Sequence, residues 1–271
     1  MPGSLGEKIG EGVSADIHAW APGQVVKLFK AGVPQRISRW EARMTRAVFA
    51  AGGPAPEVLD EVTVEGRFGI VLGRLDGPTL LQFYRSGAIT FGQAGAILAS
   101  LCLFVHKTPP PPDVARLRDW MEGSLRRSGG AVPEHIATGI LALIERLPPG
   151  DGLCHGDLHP GNVIMTVDGP RIIDWITAVR APAVFDLAYC HLALTEIAPD
   201  VADNPQRPRA VNAAAQSEYA RLAGMSQAAL TEAMEPYLPI VCVHIVLGGW
   251  TTSAQRERLI QRIEAALRQE D

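Results

Sequence analysis

Most of the second half of this chain patterns as helix, but the octapeptide His155-Gly156-Asp157-Leu158-His159-Pro160-Gly161-Asn162 breaks the pattern. Two glycines and a proline in eight residues exclude a helix and require a tight loop. Short β-like runs border it, at residues 152–154 and 162–167. A turn at Asp168-Gly169-Pro170 then leads into a third run, 171–174. Whatever the chain folds into must embed this small β-rich island in a helical body.

The remaining sequence divides by pattern near residue 77. Before it, residues 5–9, 16–20 and 25–29 read as β-runs, with Ala21-Pro22-Gly23 as a turn between the last two. Residues 35–51 read as a helix stopped by Gly52-Gly53-Pro54, and 57–64 and 67–75 as two more β-runs joined at Glu65-Gly66. After Asp76-Gly77-Pro78 helices take over, at 97–106, 114–127, 133–147, 182–196, 207–222, 227–247 and 253–269. The first ends before prolines 109–112, which no helix can cross. The expected fold is α+β and bilobal. A small antiparallel sheet with one helix occupies residues 1–77, and a large, mainly helical part occupies 78–271.

Composition narrows the function classes. Hydrophobic residues make up 47% and charged residues 20%, as in an ordinary globular protein. With 25 basic and 29 acidic residues the net charge is −4, which argues against a nucleic-acid partner. The basic groups at 116–127 and 256–268 are mixed with acids, as on solvated helix faces. Cys102, Cys154, Cys190 and Cys242 form no C-x-x-C pair, so neither a disulfide framework nor a zinc site is expected. No apolar leader opens the chain, and the apolar stretch 238–250 is too short to span a bilayer. The expectation is a soluble cytoplasmic protein with no membrane partner, its oligomeric state open.

The chemistry-bearing residues lie in the island. Asp157 and Asn162 are five residues apart on the loop, and Asp174 ends the next β-run. Phosphoryl transfer needs a carboxylate to orient or deprotonate an attacking hydroxyl, and hard oxygen ligands to hold Mg²⁺ on the phosphates. Upstream, Gly10-Glu11-Gly12 sits between two β-runs, where glycine permits close backbone approach to phosphate. Lys27 lies inside the apolar run Val25-Val26-Lys27-Leu28, an unusual place for a cation unless something anionic meets it.

His155-Gly156-Asp157 with Asn162, followed by Ile173-Asp174-Trp175, resembles the catalytic loop and metal-binding motif of the aminoglycoside phosphotransferase and choline kinase-like family, relatives of the protein kinases. The resemblance implies a protein-kinase-like fold and a small-molecule kinase. Such an enzyme moves the γ-phosphoryl group of ATP, with GTP possible, onto a substrate hydroxyl. It implies Asp157 as the catalytic base or hydroxyl-positioning acid, and Asn162 and Asp174 as Mg²⁺ ligands. Gly10 and Gly12 would cover the phosphates, and Lys27 would pair with Glu41 on the following helix. The link at Arg74 and Leu75 would meet the base through its backbone, and Asp186 in Phe185-Asp186-Leu187 would hold the catalytic loop.

Plainer readings compete. Gly10-x-Gly12-x-x-Ala15 alone matches a Rossmann fingerprint, but a β-run rather than a helix follows it. Lys27 alone could snorkel from an edge strand, and Glu41 could be an exposed helix acid. His106, His155, His159, His191 and His244 read as structural histidines. A metal-dependent hydrolase built on His155, Asp157 and His159 is one rival, and a non-catalytic nucleotide-binding protein another. Protein kinase activity is disfavoured because residues 175–181 leave no room for an activation loop. Glu196, Asp200, Asp203 and Glu218 could face a cationic acceptor or be ordinary surface acids.

Overall fold

The structure is a computed structural model describing residues 5–268, so the last residue of the helix expected to end at 269 lies outside the described residues. Its N-terminal sheet contains β1 (Lys8–Glu11), β2 (Ala15–Ala19), β3 (Gln24–Phe29), β4 (Val58–Val64) and β5 (Arg67–Gly73), in the antiparallel order β1-β2-β3-β5-β4. The near-continuous apolar run Val25-Val26-Lys27-Leu28-Phe29 takes the centre, buried on both faces. Helix α1 (Gln35–Ala50) packs across the sheet with a buried stripe of Ser38, Glu41, Ala42, Thr45 and Val48 at helical spacing. Ala15, Phe29, Ala42 and Ile70 form the small core between them.

The helical part contains α2 (Leu80–Arg85), α3 (Phe91–Lys107), α4 (Leu117–Arg127), α5 (Glu134–Arg146), α6 (Val184–Leu192), α7 (Ala198–Val201), α8 (Gln206–Ala223), α9 (Gln227–Met234), α10 (Leu238–Leu247) and α11 (Ser253–Arg268). Within it lie two small antiparallel ladders. Strands β6 (Gly152–Cys154) and β9 (Val179–Ala181) form one, and β7 (Val163–Thr166) and β8 (Gly169–Ile172) the other. One large core joins these helices and also takes in Met44 and Val48 of α1, so that helix is shared by both parts. All four cysteines are free and buried.

Several elements depart from the sequence expectation. Helix α2 was not expected, and α3 begins six residues early. Both start with a reciprocal cap, Thr79 with Gln82 and Thr90 with Gln93, a T-x-x-Q signature visible in the sequence. The helix expected over 227–247 is interrupted by a 3₁₀ turn at Glu235–Tyr237, where Pro236 and Pro239 remove amide donors. Strand β9 escapes a local reading because its partner, β6, lies 25 residues upstream. The stretch Gln227–Leu247 is long and apolar enough to cross a membrane, but it is a core element, with Ile240, Val241, Cys242, Val243 and Ile245 buried in protein.

The segment connecting sheet and helices is held to the island. Pro78 O accepts from Met165 N at 2.9 Å and Thr79 bridges Ile164. Gly77 has φ +151, and a Cβ there would stand 1.9 Å from Met165 O, so only glycine fits.

Histidines brace the helical part. His244 Nε2 donates to Gly156 O at 3.1 Å, and His191 Nδ1 accepts from Asn212 Nδ2 at 3.2 Å and Gln216 Nε2 at 3.1 Å. Burial holds both rings below the ordinary 6.5. Below that pH the unfolded chain takes up protons that the folded rings resist, so the stability these two rings contribute falls as pH drops through and beneath 6.5. These rings should lower Tm by a few degrees between about pH 7.5 and about pH 5.5, against the opposite pull of the buried Glu41 carboxyl. His244→Gln, which keeps a donor toward Gly156 but cannot titrate, should lower Tm at the higher pH and narrow that gap.

Candidate functional site

Lys27 is the meeting point of the two parts. It lies on β3, opposite Ile17 and Ile70, on the sheet face that looks toward α1. Its Nζ stands 2.5 Å from Glu41 Oε1 and 3.2 Å from Asp174 Oδ1. Lys27 is 8% and Glu41 3% exposed, so neither snorkels to solvent. Burial opposes the lysine's charge, but Glu41 and then Asp174 outweigh it and hold Lys27 above the ordinary lysine range. One cation between two carboxylates leaves a negative excess. Burial first, with Asp174 adding to it, lifts Glu41 to about 7 against the pull of Lys27. Glu41 Oε2 has no hydrogen-bond partner.

Asp174 reaches this position through an unusual backbone. It has φ +67, a left-handed conformation that Asp tolerates better than bulkier residues, and it begins the 3₁₀ turn Trp175–Thr177. The turn is locked from both sides. Trp175, fully buried, donates its indole N–H to Ile172 O at 2.8 Å, and Trp40 of α1 donates to Ile176 O at 3.0 Å. The helix carrying Glu41 is thereby tied to the segment carrying Asp174. The β7–β8 register pairs Val163 with Ile172, and Ile173 N donates to Asn162 O at 2.9 Å. That register brings Asn162 and Asp174 to the same end of the hairpin.

The loop bearing Asp157 is held from beneath by Asp186 on α6. Its two carboxylate oxygens accept from His155 N and Gly156 N, each at 2.8 Å. His106 Nε2 lies 3.4 Å from Asp186, with its Nδ1 3.2 Å from the Tyr219 hydroxyl. Burial pushes the Asp186 carboxyl upward, but His106 and the loop amides outweigh it and hold it below the usual range. Gly156 has φ +79, and a Cβ there would stand 2.4 Å from Thr177 O. His155 donates from Nε2 to Ile173 O at 3.0 Å and accepts Asp157 N at Nδ1 at 3.2 Å. This fixes one neutral tautomer. His159 Nδ1 accepts from Gly161 N at 3.0 Å. Both rings brace the loop through its backbone.

Asp157, Asn162 and Asp174 therefore sit on one rigid scaffold. Asn162 donates Nδ2 to Asp157 O at 3.0 Å and to Asp157 Oδ2 at 3.3 Å, which leaves its Oδ1 as an acceptor facing elsewhere. With Lys27 on Oδ1 of Asp174, the second oxygen of that carboxylate is also available, and its side chain is one-third exposed. Two hard oxygen donors at the end of a short hairpin suit a Mg²⁺ ion.

Gly10 lies in β1, opposite Ile17, and Gly12 opens the turn to β2 with its N–H on Ala15 O at 2.8 Å. A strand follows that turn, which removes the Rossmann alternative. Arg74 and Leu75 lie just past β5, with Arg74 N on Gly23 O at 2.9 Å and Arg74 Nε on Asp76 at 2.6 Å. Three of the four acids considered for a cationic acceptor are held by arginines: Glu196 by Arg262 at 3.3 Å, Asp200 by Arg258 at 2.6 Å and Glu218 by Arg221 at 2.7 Å. Both ring nitrogens of His155 are engaged by backbone, so His155, Asp157 and His159 do not converge as the ligands a hydrolase would need.

Sequence reading missed Trp40, Thr177, Tyr189 and the contact made by His244. Thr177 donates to His155 O at 2.9 Å. Tyr189, buried on α6, packs its ring 5.6 Å from that of His244. None of these belongs to a local motif, and each acts across 22 to 136 residues of sequence.

A choline/ethanolamine kinase family protein from Mesorhizobium loti has a similar structure, with TM-score 0.60 and 16% identity, covering 97% of this chain and 87% of that one. An ADP-bound aminoglycoside phosphotransferase gives 0.53 and 16%, covering 98% and 92%. A macrolide 2'-phosphotransferase from Brachybacterium faecium gives 0.51 and 17%, covering 94% and 89%. These likenesses establish the protein-kinase-like fold. A comparison with curated protein sequences returns no match. Residues 6–230 match the model of the phosphotransferase enzyme family, and the chain therefore belongs to that family, as a small-molecule phosphotransferase with a hydroxyl as acceptor.

Proposed function

We propose that this enzyme transfers the γ-phosphoryl group of ATP, in complex with Mg²⁺, to a hydroxyl of a small molecule, with Asp157 as the residue that acts on that hydroxyl. The observation that carries the reading is the convergence of Lys27 from the sheet and Asp174 from the hairpin, 3.2 Å apart. A buried cation held by two carboxylates at the seam is what a polyphosphate would meet on entering between sheet and helices. The seam, at Gly77, is the proposed boundary between a nucleotide-binding part, 1–77, and a part carrying the catalytic loop and acceptor site, 78–271. One structural relative holds ADP and two hold GDP, which supports a purine nucleotide, with ATP and GTP the donors to test.

In this mechanism Gly10 and Gly12 present the β1–β2 turn to the phosphates, and Lys27, steered by Glu41, supplies positive charge to them. Asn162 Oδ1 and Asp174 would hold the metal, which when bound neutralises phosphate charge. The backbone at Arg74 and Leu75 would receive the base. Asp157 accepts a hydrogen bond from the acceptor hydroxyl, fixes its direction of attack and takes its proton as the new bond forms. Because the loop is already braced at His155, Gly156, Asp157 and Asn162, little reorganisation is left for the reaction itself. Use of ATP is consistent with the cytoplasmic location expected from the sequence.

The reading is tested without knowing the acceptor. Mg·ATP at tenfold its Kd should stabilise the protein by roughly 1.4 kcal/mol in a thermal-shift assay. EDTA and Asp174→Ala should each abolish the shift. No shift with Mg·ATP or Mg·GTP would defeat the proposal. Once screening finds an acceptor, Asp157→Ala should lower kcat by about 10²–10⁴-fold while keeping the nucleotide-induced shift. Retention of wild-type kcat would remove Asp157 from its role.

A further inference from the structure

Asp157 follows a glycine that the fold requires. Gly156 has φ +79, and a Cβ there would stand 2.4 Å from Thr177 O, so a larger residue does not fit. The conformational freedom that suits glycine to this position also makes the Gly156–Asp157 peptide easy to rotate. That peptide sets the direction in which the Asp157 side chain leaves the loop. Its N–H donates to His155 Nδ1 at 3.2 Å, and its carbonyl accepts from His244 Nε2 at 3.1 Å. The peptides on either side are held separately, Gly156 N by Asp186 at 2.8 Å and Asp157 O by Asn162 Nδ2 at 3.0 Å. His155 belongs to the same loop, but His244 reaches in from α10, 88 residues away. Its own place is fixed by packing, with ring centroids 4.6 Å from Trp120 of α4 and 5.6 Å from Tyr189 of α6. Helix α10 also lies beyond residues 6–230, so the contact comes from outside the stretch that matches the family model.

We propose that His244 is a positioning residue for phosphoryl transfer, its Nε2–H fixing the Gly156 carbonyl and so the peptide that aims the Asp157 carboxylate at the acceptor hydroxyl. This deepens the function proposed above and rests on it. Burial favours the neutral ring, and the carbonyl selects the tautomer that carries its proton on Nε2. Without that donor the carbonyl loses its partner in the protein. The glycine then lets it turn toward another donor or water, and the Asp157 side chain turns with it. A displacement of this kind leaves the groups that meet nucleotide in place, because Lys27, Asp174 and the β1–β2 turn lie on other elements.

Two substitutions separate positioning from packing, because the two roles predict opposite orders of damage. His244→Phe keeps a ring between Trp120 and Tyr189 but has no donor, whereas His244→Gln gives up the ring and keeps a donor. The readout is kcat for phosphoryl transfer to the acceptor found by screening, or to water in its place. It should fall about ten- to a hundredfold in His244→Phe and stay within about threefold of wild type in His244→Gln. KM for nucleotide and the Mg·ATP thermal shift should be unaltered in both. Wild-type kcat in His244→Phe, or a loss in His244→Gln as large as that in His244→Phe, would overturn the proposal. A further measurement needs neither variant nor acceptor, and so stands even if His244→Phe does not fold. Nitrogen NMR of the wild-type ring should show the neutral tautomer protonated on Nε2. A ring protonated on Nδ1 alone could not donate to Gly156 and would sink this assignment by itself, with the phosphotransfer reading untouched. Absence of any nucleotide shift in wild type would instead remove that reading, and the role of His244 in it.

Discussion

A lysine buried between two carboxylates organises this molecule. Removing a cation of this kind from water costs several kcal/mol unless opposite charge replaces the lost solvent. Lys27 recovers that cost from Glu41 at 2.5 Å and Asp174 at 3.2 Å, residues brought by α1 and by the β7–β8 hairpin. Its position on the central strand allows both to reach it. Everything that fixes those two carboxylates therefore also fixes how the sheet meets the helices. Trp40 anchors the helix of Glu41 to the turn after Asp174, and Met44 and Val48 of that helix enter the large core.

Beneath this ion cluster the loop bearing Asp157 is made rigid by polar contacts that are individually small but numerous. Asp186 accepts two loop amides, His155 and Thr177 cross-link the loop to the segment after β8, and His244 holds the Gly156 carbonyl. These buried polar groups satisfy one another, and a network of this kind specifies one arrangement better than apolar packing would. Rigidity matters for phosphoryl transfer, where the protein's contribution is chiefly placement and charge. The relatives of similar structure act on acceptors as unlike as macrolides and aminoglycosides, so the shared scaffold leaves acceptor choice to the surrounding surface.

Much of the architecture was legible from local pattern. The alternation of strands before residue 77, the helix carrying Glu41 and the embedded hairpin all come from short-range periodicity and turn residues, and β6 occupies the residues expected for it. Where the pattern misled, non-local or capping effects were responsible. Strand β9 exists only because Cys154 is there to pair with Val179, and α2 forms on a two-residue reciprocal cap rather than an apolar stripe. The assignment of Glu41 leaned on resemblance, because Arg36, Arg39 and Arg43 around it read as a solvated face. Burial to 3% comes from the sheet above, which no window of α1 contains.

The sequence by itself determined the inventory of chemical groups and their order: a glycine turn, a lysine in an apolar strand, a helix acid, a loop with Asp157 and Asn162, and Asp174 after the next strand. Residue type and spacing encode these, because turns, strands and hard-oxygen ligands each have local requirements. Only the tertiary structure decided which groups meet. Lys27 and Asp174 are joined across 147 residues by a left-handed backbone at Asp174, and His244 comes to the Gly156 carbonyl, beside Asp157, through the packing of α4, α6 and α10. Such contacts depend on the summed burial of a whole core, which no local signal records.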